Sequence, residues 1–371
     1  MRELEILKNI CASPRAQLDK ALAGGKKVIG VMPYFCPEEL VYAAGMAPFG
    51  LWGAEMQANE SKRYFPAFIC SILHTTLEMG LQGQLNDLSG IMIPISCDSL
   101  KGMGANWQYG VKTVPVINVA YAQNRKIAAG DEFSLSQIRK VKGQLEEICG
   151  HEISDGAIAD AVAVYNENRA AIIAFTQAVG KKPGLISAAD RSAAIKAGFF
   201  MDRKEHTALL TALTAEIEAT PDTGWKGLKV VTTGIIADSP ELLKILDENG
   251  IAIVADQIAQ ESVEARYQTP VTAEPMLGMA QRYGKIEGCS VLYDPVKERG
   301  HQLVDIARAS GADGVIWVMT KFCDPEEFDY VPVKRMLDAA GIPLLAVEVD
   351  QQMVNFEQAR NAILTFSEML G

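Results

Sequence analysis

The sequence predicts an α/β protein: two doubly wound parallel-sheet domains joined by a helical segment. Three observations carry that reading. Short apolar runs alternate with helix-period segments over residues 27–119, and the same alternation returns over 229–349. The runs are apolar throughout rather than every second residue, as expected of strands covered on both faces. A chain of 371 residues, 49% hydrophobic and 22% charged, is ordinary for a globular protein and too long for one core.

Taken in order, Pro14–Ala23 is a helix, with Ser13 as N-cap, Pro14 at the first position and Gly24-Gly25 ending it. Lys27–Met32 is a strand, Pro37–Ala44 a helix stopped by Gly45, and Ala47–Trp52 a second strand. Ala67–Gly80 has helical apolar spacing and carries Cys70 in its first turn; Gly90–Ile95 and Val114–Val119 are two more strands. Ser134–Cys149, Ser154–Gly180, Ala188–Gly198 and Arg203–Ala219 are helical patterns with no strand between them. From Lys229 the alternation resumes: strands Lys229–Thr233, Ile251–Ala255, Gly314–Met319 and Pro343–Val349, with helices at Pro240–Asn249, Gly300–Ser310, Val331–Ala340 and from Asn355 onward. Gly250 and Gly341 stand where helix C-caps belong. The expected division is 1–133 (α/β), 134–225 (helical connector) and 226–371 (α/β).

The most informative stretch is Gly314–Glu327. Its apolar run ends near Cys323, and Asp324-Pro325-Glu326-Glu327 opens a helix, since Pro suits a first turn and acids suit the positive end of the helix dipole. A thiol between strand and helix N-terminus is in a setting that favours the thiolate. The same grammar recurs in Val31–Glu39, around Phe35-Cys36-Pro37-Glu38-Glu39, and in Gly90–Asp98, which ends in Cys97-Asp98. Cysteines at strand ends in distant parts of the chain point to one site at the sheet edge where α/β proteins bind ligands.

Taken singly, Cys36, Cys70, Cys97 and Cys323 read as buried packing thiols; taken together they read as ligands, and both readings stand at this level. Soft sulfur donors without clustered histidine favour iron–sulfur chemistry over zinc or a hard cation, although the CxxC spacing of ferredoxin-type sites is absent. Cys11, Cys149 and Cys289 read as packing residues. His74 and His206 fit helix faces and form no ligand set. Glu55, just beyond the second strand, is the candidate acid–base group, against the plain reading of a solvated surface carboxylate. Thr233-Gly234-Ile235 follows a strand, but no GxGxxG or Walker sequence accompanies it.

A net charge of −11 argues against nucleic acid or an anionic membrane as partner. No apolar run approaches the ~18–20 residues that span a bilayer, and the N-terminal segment is charged without a signal-peptide core. The expected location is the cytoplasm. Seven cysteines there are not a disulfide framework.

Beyond the cysteines, Phe35-Cys36-Pro37-Glu38-Glu39-Leu40, Tyr64-Phe65-Pro66-Ala67-Phe68-Ile69-Cys70-Ser71, Cys97-Asp98, Tyr165-Asn166-Glu167-Asn168-Arg169, Lys321-Phe322-Cys323-Asp324-Pro325 and Glu348-Val349-Asp350-Gln351-Gln352 occur in order along the whole chain. Together they resemble the β subunits of 2-hydroxyacyl-CoA dehydratases, above all the 2-hydroxyglutaryl-CoA and 2-hydroxyisocaproyl-CoA enzymes. The resemblance implies an oxygen-sensitive hydro-lyase of anaerobic amino-acid fermentation, one half of an αβ heterodimer. It implies a 4Fe–4S cluster between the two domains on Cys70, Cys97 and Cys323, with Cys36 as neighbour or further ligand. It implies an acyl-CoA substrate, 2-hydroxyglutaryl-CoA on overall similarity, and an ATP-dependent iron–sulfur activator protein that injects one electron for ketyl-radical elimination. It also admits a flavin (FMN or riboflavin), for which the residues carry no signature. A cluster-bearing reductase or electron-transfer protein acting without an α partner is the alternative on the same fold. A non-enzymatic two-domain binding protein, its cysteines merely packing, is the third reading.

Overall fold

The computed structural model describes residues 1–371 apart from positions 34 and 223. Tyr34, inside the first Phe-Cys motif, and residue 223, inside the expected connector, therefore lie outside the described residues.

Among the described residues the strands form two four-stranded sheets. The first contains β1 (Val28–Val31), β2 (Ala47–Gly50), β3 (Gly90–Pro94) and β4 (Val116–Val119) in the order β2-β1-β3-β4. The second contains β5 (Leu228–Gly234), β6 (Ile251–Ile258), β7 (Gly314–Thr320) and β8 (Leu344–Val349) in the order β6-β5-β7-β8. Every neighbouring pair is parallel. The two sheets repeat one topology, and each reverses its winding between its first and third strands. That switch point is where an open α/β sheet leaves a crevice beyond its strand ends. Strands β1 and β3 are buried along their whole length, as their unbroken apolar runs predict.

The helices are α1 (Arg2–Ala12), α2 (Pro14–Ala23), α3 (Glu38–Ala43), α4 (Ser71–Leu81), α5 (Asp98–Gly110), α6 (Ala128–Cys149), α7 (Asp155–Lys181), α8 (Ala188–Lys196), α9 (Arg203–Ala219), α10 (Pro240–Glu248), α11 (Pro275–Lys285), α12 (Glu298–Ser310), α13 (Asp324–Ala339) and α14 (Glu357–Leu370). On one face of the first sheet, Ile29, Val31, Met92 and Ile117 pack on Leu135, Ile138 and Leu145 of α6. On the other face, Ile91 and Ile93 meet Leu77 of α4 and Met103 and Trp107 of α5. That apolar cluster runs on into Ile235, Ile236 and Val263 of the second half. The second sheet is sandwiched by α10 and α14 on one side and by α12 and α13 on the other. Leu7 of α1, Phe175 of α7, Ile195 of α8 and Leu210 of α9 form a separate helical core.

Three local differences from the sequence expectation have physical reasons. Residues 2–12 form a helix because Leu4 and Leu7 join the helical core where α1 packs on α8 and α9, a tertiary gain the charged local sequence does not announce. Helix α13 is continuous from Asp324 despite Pro332, since packing of Val333 and Leu337 under β7 outweighs the lost backbone bond. Cys70 is the N-cap of α4, in extended conformation, rather than a first-turn residue. Gly250 and Gly341 do follow helices with left-handed φ of 63° and 71°.

Candidate functional site

Three helices end their N-termini on a cysteine: Cys70 on α4, Cys97 on α5 and Cys323 on α13, none making a side-chain cap bond. Because β3 and β7 hold the same place in their sheets, Cys97-Asp98 and Cys323-Asp324 are one joint built twice, once in each half. Cys70 and Cys323 sit in the apolar cluster that spans the halves, and Cys97 packs against it. First-turn N–H groups face each sulfur: those of Leu73 and Ile72 at Cys70, Leu100 and Ser99 at Cys97, and Glu326 at Cys323. These are the orphan donors of a helix start, suited to stabilising negative charge.

Burial nevertheless dominates. It pushes the Cys70 thiol up to about 12, with the nearby Cys97 adding to it. It raises Cys97 as well, and it raises Cys323 well above the usual thiol range, with Glu326, Cys70 and Cys97 reinforcing it. The three sulfurs thus sense one another. As free thiols they stay protonated, and a bound cationic centre would reverse that balance. Among the described residues no three His, Cys, Asp or Glu side chains close on a single metal ion. The donor set, three soft sulfurs converging from both halves, fits a polynuclear iron–sulfur group, whose ligands are shared among separate irons.

Cys36 is placed apart. It packs against the opposite face of the first sheet, and its thiol donates to Met32 O at 3.6 Å. Its charged neighbours are Glu38 and Glu264, not the other thiols. The sequence echo is real in the backbone: Phe35 and Phe322, each preceding its cysteine, adopt φ of 62° and 60°. A bulky residue there is strained by roughly 1–3 kcal/mol, held by the surrounding packing. Cys289 shares the large apolar cluster, while Cys149 donates to His151 O at 3.2 Å.

Sequence reasoning gave no role to Arg299, whose fully buried guanidinium ties the second sheet's edge together. It donates to Thr233 Oγ1 at 2.9 Å and Gln257 Oε1 at 3.3 Å, lies 4.3 Å from the Trp317 ring centre, and pairs with Glu326 at 3.8 Å and Asp329 at 3.6 Å. Glu326 in turn accepts from Trp317 Nε1 at 2.9 Å and from the Thr320 N–H at 3.0 Å, which fixes the turn leading to Cys323. Only a long Arg aligned behind a buried strand could have hinted at this.

The Glu348–Gln352 motif also acquires a place. Gln351 donates through Nε2 to Trp52 O at 2.7 Å, and its own N–H donates to Ser71 Oγ at 3.0 Å. Gln352 Oε1 accepts from the Ala58 N–H at 3.0 Å. These bonds tie the end of β8 to the start of α4 and to the loop that carries Glu55. Glu55 is exposed and opens on a cleft with Ser71, Asp238, Thr320 and Asp350. His74, read from the sequence as a helix-face residue, is structurally engaged: its Nε2 donates to Pro66 O at 3.2 Å, so Nδ1 accepts from Ser61 Oγ at 3.1 Å.

Residues 33–370 match the family model described as 2-hydroxyglutaryl-CoA dehydratase, D-component. The chain is 48% identical to the (R)-phenyllactyl-CoA dehydratase beta subunit of Clostridium sporogenes, over 98% of this chain and 97% of that one. It is 42% identical to subunit beta of (R)-2-hydroxyglutaryl-CoA dehydratase from Acidaminococcus fermentans, over 99% and 98%. It is 40% identical to subunit beta of lactoyl-CoA dehydratase from Anaerotignum propionicum, again over 99% and 98%.

Proposed function

Because the chain belongs to the family of 2-hydroxyglutaryl-CoA dehydratase D-components, we propose that it is the β subunit of an (R)-2-hydroxyacyl-CoA dehydratase, a hydro-lyase working as an αβ heterodimer. In this reading Cys70, Cys97 and Cys323 hold a 4Fe–4S cluster. The supporting observation is that three helix N-caps from both halves bring their thiols to one buried apolar cluster. When bound, such a cluster stores or relays the single electron, delivered by an ATP-dependent activator, that makes a ketyl-radical elimination of water possible. The protein supplies the rest. The three thiolates grip, the helix-start N–H groups offset negative charge on sulfur, and the apolar packing keeps water away. In the same reading Glu55, exposed at the adjoining cleft, is the residue assigned to hold or pass a proton. The relatives named above take aryl, dicarboxylic and short alkyl acyl groups, so overall likeness alone does not select 2-hydroxyglutaryl-CoA.

The test is anaerobic co-expression with an α subunit, followed by iron and sulfide analysis of Cys→Ser variants. Cys70, Cys97 and Cys323 variants should lose iron, while Cys11, Cys149 and Cys289 variants keep it. Full iron in the Cys323 variant would refute the assignment.

A further inference from the structure

The Cys97-Asp98 and Cys323-Asp324 joints share a backbone plan, but what lies beneath them differs. The third residue of α5 is Leu100, 1% exposed and packed in the apolar cluster. The third residue of α13 is Glu326, a carboxylate with no exposed surface. Such a joint therefore forms on apolar packing alone, and the charge beneath Cys323 is not needed to build it. A buried ion pair is in any case weak evidence for stability, because well-packed apolar residues of similar volume do as well.

The Glu326 side chain brackets the thiol-bearing turn. Its N–H donates to Cys323 O at 2.9 Å, while its carboxylate reaches back past the cap to the Thr320 N–H at 3.0 Å. From behind, Arg299 meets that carboxylate at 3.8 Å and Asp329 at 3.6 Å, and Lys297 holds Asp329 at 2.6 Å. Arg299 and Lys297 thus balance Glu326 and Asp329. The same guanidinium donates to Ser290 Oγ, beside Cys289. Glu326 acts on the Cys323 sulfur, and Arg299 and Glu326 both act on that of Cys289.

Resting on the cluster-bearing reading above, we propose that Arg299 and Glu326 are positioning residues that set the reduction potential of a group held on Cys70, Cys97 and Cys323. Arg299 neutralises the carboxylate beneath Cys323, so that an arriving electron does not meet an unpaired negative charge. Both residues act through the Cys323 turn and through space. The potential of an iron–sulfur group follows the net charge around it, and an unpaired charge weighs most where water is excluded.

The experiment is a redox titration of the anaerobically assembled αβ enzyme, followed by electron paramagnetic resonance. It is run at pH 8, where Glu326, whose carboxyl burial pushes up to about 7, is ionised. The signal belonging to this chain is the one that Cys323→Ser lacks. Arg299→Met should lower its midpoint by about tenfold or more in the reduction equilibrium constant, about 59 mV for one electron. Glu326→Gln should raise it by a similar factor, and the double variant should return close to the parent. Arg299→Lys, which keeps the charge but not the planar fork, should stay nearer the parent than Arg299→Met. Loosened packing would instead move both single variants the same way. Shifts of one sign in both, or no shift in either, overturn the proposal. Should Arg299→Met not assemble, Glu326→Gln decides alone: a raised potential supports the proposal, and an unchanged or lowered one overturns it. A parent without iron, or a Cys323→Ser variant that keeps every signal, instead overturns the cluster reading itself, and this inference with it.

Discussion

His206 has both ring nitrogens engaged inside the protein: Nε2 donates to Ala194 O at 3.0 Å, and Nδ1 accepts from Asn168 Nδ2 at 2.9 Å. The ring is fully buried and neutral, and burial, with Arg203 opposing its charge, lowers its pKa to about 4. The unfolded chain binds its proton near the ordinary value of about 6.5. Between those two values the unfolded state holds more protons, so stability is full above about pH 6.5 and falls as pH drops toward 4, by roughly 3 kcal/mol in all. Thermal unfolding at pH 7 and pH 4.5 should therefore show a smaller loss of Tm in His206→Gln, whose amide reproduces one donor and one acceptor, than in the parent. Equal losses would mean another group is titrating. At this scale the sequence was readable in kind: a lone helix-face histidine is a packing residue. Its partners, 12 and 38 positions away, were not.

Elements show where local pattern is enough and where it is not. The strand and helix alternation, the Gly250 and Gly341 stops and the Cys-Asp joints at 97 and 323 are local signals, each written within a few residues, and they reappear in the fold. Helices α1 and α11 escape that reading because their apolar stripes are justified only by what they meet, α8 and α9 for the first and α6 for the second. Gly180 shows the same limit. Near the end of α7 it looks like a stop, yet the helix includes it and continues to Lys181. Its real role is proximity: a Cβ there would lie 2.1 Å from Val254 O on β6. Helix propensity favours Gly→Ala by about 1 kcal/mol, but the clash is with backbone that cannot swing aside. Gly180→Ala should destabilise by about 2 kcal/mol or more, within the range of overpacked sites. Urea unfolding checks the sign; a gain in stability would mean the α7–β6 contact is looser than its geometry.

At the scale of the whole molecule, the site exists only because two similar halves are held at one separation. The hydrogen bonds that hold it span hundreds of residues: Gln351 to Trp52 O, Gln351 N–H to Ser71 Oγ and Ala58 N–H to Gln352 Oε1. No sequence pattern encodes such pairs, although the Glu348–Gln352 stretch could be recognised by resemblance. On the opposite flank, buried Arg125 from the first half donates to Gly284 O at 2.8 Å and pairs with Glu287 at 2.7 Å. Removing the Gln351 side chain takes away its 2.7 Å hydrogen bond to the Trp52 carbonyl in a half-buried seam, a loss of about 0.5–1.5 kcal/mol. Since both ends of that bond border the loop carrying Glu55 and the helix capped by Cys70, the loosening should be local to them. Hydrogen exchange of Gln351→Ala should lose protection over residues 52–58 and 71–75, while the α1–α9 core stays as protected as in the parent. In the cluster-bearing enzyme proposed above, with Cys70 as a ligand, iron should then be released faster to a chelator. Uniform loss of protection would instead mean that Gln351 supports the whole fold, and unchanged exchange at 52–58 would mean that the halves are held together by other bonds.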